Sequence, residues 1–167
     1  MTAEPGPAST HRYRTSVQWS GSTGVGYDHY DRGHHARALP AADGIDLSSD
    51  PAFRGDPART NPEQLLVLAA SSCQLLSFLA VAARARLDVV AYTDAAEAVM
   101  PEDDPPVRIT GITLRPHIRV ALAPGADPAA VRARVEHLVA VAHRECYIAN
   151  SLTTEIHIEP TIDLEPS

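Results

Sequence analysis

Cys73 and Cys146 are the only two cysteines in this chain of 167 residues. A thiol becomes a nucleophile when it is held as thiolate by a nearby cation or a helix N-terminus. Cys73 lies inside a long run of apolar and small residues, from Leu65 to Ala83. Burial there would raise its pKa and leave it inert unless a cation arrives from elsewhere. Arg54 and Arg59 precede the run, and Arg32 and Arg37 lie further upstream. Glu63, at the start of the run, could hold one of these arginines by a bidentate pair. Cys146 is a second thiol. Were Cys73 oxidised to a sulfenic acid, Cys146 could condense with it to a disulfide. The competing reading makes both cysteines small buried hydrophobes and each arginine a solvated surface residue.

Other chemistries find less support. The eight histidines are scattered and form no HxxxH pattern, and the cysteines form no CxxC. Adjacent His34 and His35 would point to opposite faces of a strand. No metal site or cofactor motif is expected: GxSxG, GxGxxG and Walker loops are absent from the sequence. A formal charge of −7 and a pI near 5.5 argue against general nucleic-acid binding. The N-terminus, MTAEPGPAST, has neither a basic nor an apolar signal region. Two cysteines do not make a disulfide scaffold, so a cytoplasmic location is expected.

The elements that must position these residues follow from the pattern. Residues 1–10 read as a disordered leader and residues 11–167 as one domain. Tyr13, Thr15, Val17 and Trp19 alternate with polar residues as in a half-buried strand. Residues 27–39 read as the return strand and residues 40–57 as loop. Asn61 followed by Pro62, with Glu63 and Gln64 in the first turn, opens a long helix. That helix is apolar nearly all round and long enough to invite a membrane reading. Ser71, Ser72, Gln74 and Ser77 interrupt it, so a buried central helix is expected. Residues 87–100 read as a strand. Residues 107–122 read as a long bent strand paired with it, and Pro116 belongs at an edge or bulge. Asp127–Pro128 opens an amphipathic helix that ends at Cys146, and residues 153–164 give a last strand. The class is α+β with an antiparallel sheet.

FRGDP, then TNPEQLL, then a cysteine ten residues after that glutamate, then a helix ending in C-IANS, resemble the OsmC/Ohr family of hydroperoxide-resistance proteins. The likeness runs over roughly residues 11–164. It implies antiparallel sheets packed on a long buried central helix, in an intertwined homodimer with active sites at the subunit interface. It also implies a thiol-dependent peroxidase acting on alkyl or fatty-acid hydroperoxides. Carried over, Cys73 is the peroxidatic and Cys146 the resolving cysteine, and Glu63 orients the arginine. That arginine is Arg32, in YDHYDRG, or Arg54 or Arg59 in the loop before the helix. An external thiol would restore the enzyme, a lipoyl-linked one in part of the family. The rival expectation is a non-catalytic protein that uses the apolar interface pocket for a lipid-like ligand.

Overall fold

The computed structural model describes residues 10–166. The leader expected over residues 1–10 therefore lies, apart from Thr10, outside the described residues. The chain divides into two compact units, Met1–Pro62 and Glu63–Ser167.

The N-terminal unit is a three-stranded antiparallel sheet in the order β1 (Arg14–Gln18), β2 (His34–Leu39), β3 (Gly44–Leu47). Strand β2 begins only at His34, because residues 27–33 form turns around the Arg32 side chain. The stretch read as loop contains β3 and a 3-10 turn, Pro51–Phe53. The expected half-burial of β1 is not met: all five of its residues are exposed, and Val17 is 66% exposed. It is an edge strand, and among the described residues this unit has no α-helix to lay across it. Asn61 is buried and donates from Nδ2 to Asp50 Oδ2 at 3.2 Å.

The C-terminal unit is built on α1 (Pro62–Arg84), whose first residue closes the N-terminal unit, and α2 (Pro128–Glu145). Asp127 caps α2 by accepting from the Ala129 N–H at 3.0 Å, and Pro128 takes the first helical position. Both helices run as the caps and periodicity predict.

The long strands pair as expected, but each is broken in two. Residues 87–100 give β4 (Val89–Asp94) and β5 (Glu97–Val99), and residues 107–122 give β6 (Gly111–Leu114) and β7 (Pro116–Leu122). The last strand gives β8 (Glu155–Ile158) and β9 (Thr161–Pro166). Two of the three breaks coincide with Pro116 and Pro160, which have no N–H to give a ladder. At the first break the Asp94 carboxylate takes the Arg115 N–H at 2.7 Å and the Ser71 hydroxyl at 2.5 Å. This ties the corner of the sheets to α1. The resulting sheets are β4-β7-β9 and β5-β6-β8. They are mixed, not purely antiparallel: β6–β8 and β7–β9 run parallel, since α2 lies between these strands in the chain and carries it back.

Each sheet has its own core. Phe78, Val81 and Ala82 of α1 pack with Ile118, Val120 and Ile162 of the first sheet and with Val135, Leu138, Val139 and Ala142 of α2. Ala70 packs with Ile112 and Leu114 of the second. Among the described residues α1 is the one helix long and apolar enough to cross a membrane. In this single chain its face carrying Ala70, Gln74, Phe78, Val81 and Ala82 is buried. The opposite face shows Leu68 at 61%, Leu76 at 64% and Leu79 at 38% exposure.

Candidate active site around Cys73 and Cys146

Cys73 sits halfway along α1 and is partly exposed; Cys146 caps the C-terminal end of α2 and is 1% exposed. The helices bring the Cys73 thiol close enough to Cys146 to raise its pKa, and both cysteines are free. Burial, and after it the Cys73 side chain, push the Cys146 thiol from 9.0 up to about 11. At neutral pH Cys146 is therefore a protonated thiol beside the Cys73 sulfur.

The turn after α2 completes the arrangement. The Cys146 N–H donates to the His143 carbonyl at 3.2 Å, which stops the helix, and the chain folds into the 3-10 turn Ala149–Ser151. Its backbone amides face the sulfurs. The Ile148 N–H donates to Cys73 Sγ at 3.5 Å, and the Ala149 and Ile148 amides act on Cys146, lowering its pKa against the larger effect of burial. Successive N–H groups of this kind stabilise negative charge. Sequence reasoning missed them because a backbone donor carries no residue signature. Gln74, one of the polar residues that interrupt the apolar run, is buried. Gln74 Nε2 donates to the Val139 carbonyl at 3.3 Å, while Oε1 has no partner among the described residues.

The remaining candidates are not gathered at Cys73 by α1 itself. Glu63 is in the first turn of that unbroken helix. Ten residues at 1.5 Å each place it about 15 Å along the axis from Cys73, beyond the reach of one bridging guanidinium. The arginines lie in the N-terminal unit. Arg32 donates from Nη1 to the Tyr30 carbonyl at 2.7 Å and from Nη2 to that of Tyr27 at 2.6 Å. Its guanidinium also lies over the Tyr30 and Tyr27 rings, 4.0 and 4.9 Å from their centroids. Arg54 pairs with Asp28 at 2.9 Å, Arg59 with Asp56 at 3.3 Å, and Arg37 donates to the Ala42 carbonyl at 2.9 Å. Among the described residues no group of three His, Cys, Asp or Glu side chains is placed to hold a metal ion.

Comparison with known proteins places this arrangement. No curated protein is significantly similar in sequence. Among solved structures, an OsmC-like protein of unknown function from Vibrio cholerae is 27% identical, with a TM-score of 0.79 over 90% of this chain and 99% of its own. The organic hydroperoxide resistance protein OsmC of Legionella pneumophila shares the fold at 19% identity and a TM-score of 0.65, covering 93% of this chain and 99% of its own. An organic hydroperoxide resistance protein of Elizabethkingia anophelis does so at 16% and 0.66, covering 94% and 99%. The family model for OsmC-like proteins matches residues 55–161, which takes in α1, the strands β4 to β8, α2 and the two cysteines. With both helices and both cysteines inside that match, the chain belongs to the OsmC-like family.

Proposed function

We propose that this protein is a thiol-dependent peroxidase that reduces organic hydroperoxides, alkyl or fatty-acid, to alcohols. The closeness of Cys73 to Cys146 carries the reading. The Cys73 thiolate attacks the outer oxygen of the hydroperoxide. The O–O bond breaks, the alkoxide takes up a proton and leaves as alcohol, and Cys73 becomes a sulfenic acid. The Cys146 sulfur then attacks the Cys73 sulfur. Its proton leaves with the sulfenic hydroxyl as water, and a disulfide remains. Two thiol groups of an external reductant, such as a lipoyl-linked dithiol, supply two electrons and two protons and restore both cysteines.

Partial exposure suits Cys73 to meet the peroxide, and burial suits Cys146 to wait as a neutral thiol. The Ile148 N–H donates to the Cys73 sulfur and helps to fix its position. Arg54 or Arg32 adds the cation. The distance along α1 argues that Glu63 orients that arginine in the other copy of a homodimer, whose second chain covers Leu68, Leu76 and Leu79. In this reading residues 11–167 work as one OsmC-like domain in the cytoplasm, where thiol reductants are plentiful. The names of the Legionella and Elizabethkingia proteins agree with the substrate class.

The test is consumption of cumene hydroperoxide with excess dithiothreitol. Wild type turns over, and Cys73→Ser falls at least about 100-fold. Equal rates in the two proteins would refute the proposal.

A further inference from the structure

The N-terminal unit carries an open, solvent-facing cavity of about 530 Å³ lined by Val17, Trp19, Tyr30, Arg32, His34 and Ser49. Its sides are apolar, with the Trp19 and Tyr30 rings set edge to face at 86°. Its polar groups converge on one chemistry. Arg32 is held in place by two carbonyls and two aromatic faces, all neutral, and among the described residues no carboxylate pairs with it. Two of its five N–H groups are used by those carbonyls, which leaves three for another acceptor. Arg54 and Arg59, by contrast, each have an aspartate partner. His34 Nδ1 lies 2.9 Å from the Arg32 carbonyl, an acceptor, so Nδ1 donates and Nε2 stays free of that contact. Ser49 Oγ donates to the Phe53 carbonyl at 3.3 Å and keeps its lone pairs.

We infer that this cavity binds an apolar carboxylic acid, with the carboxylate on Arg32 and the hydrocarbon body against Val17, Trp19 and Tyr30. Arg32 is pre-oriented, so little side-chain freedom is lost when the anion arrives. The site goes beyond the peroxidase reading and needs neither cysteine. It gives Arg32 a ligand of its own and leaves Arg54 as the cation for Cys73.

Trp19 is the only tryptophan in the chain and lines the cavity, so its fluorescence reports on occupancy. The full-length protein is titrated with octanoate and, separately, with 1-octanol. Octanoate should give a saturable change in Trp19 emission, and octanol should bind at least about tenfold more weakly. Arg32→Gln should weaken octanoate at least about tenfold and leave octanol within about twofold. Arg32 also organises its own loop, so Val17→Glu is the second variant. Val17 is 66% exposed and tolerates the change, and the new carboxylate should repel octanoate. Cys73→Ser should bind octanoate like wild type, which separates this site from the fate of the peroxidase reading. The inference is overturned if Trp19 emission is unchanged up to about 10 mM octanoate. It is also overturned if octanol binds as tightly as octanoate, or if both Arg32→Gln and Val17→Glu bind octanoate like wild type.

Discussion

The Gln74 side chain reaches from α1 to the Val139 carbonyl of α2 at 3.3 Å, one residue beyond Cys73. Gln74 is 1% exposed, and its Oε1 has no partner among the described residues. Its amide thus joins the two helices that carry the thiols. The Val139 carbonyl lies inside α2, where the helix already supplies it with a donor. Gln74→Leu keeps the volume and removes an unpaired acceptor, so stability should change by less than about 1 kcal/mol. Gln74→Ala opens a cavity and should cost about 2–3 kcal/mol. Urea unfolding of the two variants measures both. A large loss in Gln74→Leu would mean that the hydrogen bond, not the packing, holds the helices together.

The Cys146 thiol makes stability depend on pH. Its pKa is raised in the fold from 9.0 to about 11, so between those values the folded chain keeps a proton that the unfolded chain releases. The stabilisation is complete below about pH 9 and is lost as pH rises toward 11. Thermal unfolding between pH 8 and 11 should fall more steeply for wild type than for Cys146→Ala. Limiting iodoacetamide at about pH 8 should modify Cys73 at least about tenfold faster than the buried Cys146. Peptide mapping reads the ratio.

The exposed face of α1 calls for a cover. Leu68 and Leu76 show 61% and 64% of their surface on a helix whose other face, with Ala70, Gln74, Phe78, Val81 and Ala82, is core. Sedimentation should find a dimer at micromolar concentration. Leu76→Glu sets a charge on that face and should weaken the dimer at least about 100-fold, with little cost to the single chain, where the position is open. A wild-type monomer would contradict the proposed assembly.

The two helices were legible because Asn61–Pro62 and Asp127–Pro128 are start signals and the apolar residues keep a helical period. The strand pairs were legible as alternation. Their breaks were not, apart from Pro116, since the Asp94 carboxylate that takes the Arg115 N–H is a tertiary contact. Parallel pairing was hidden too, because a period of two says which face is buried and nothing about the direction of the neighbour. Strand β3 escaped because four residues between Gly, Asp and Pro carry too little pattern. At the site, Cys73 and Cys146 stood out by type, as the two cysteines of the chain. That the thiols lie close together, and that the Ile148 amide points at Cys73, depends on how α1 and α2 pack.

The central claim is that Cys73 and Cys146 act as a pair on a hydroperoxide. The most direct measurement is a thiol count on reduced protein before and after one equivalent of cumene hydroperoxide, in wild type, Cys73→Ser and Cys146→Ser. Wild type should lose both thiols to an intramolecular disulfide. Cys146→Ser should stop at a sulfenic acid on Cys73, trapped by dimedone, and Cys73→Ser should keep its remaining thiol. Survival of both thiols in wild type would contradict the account.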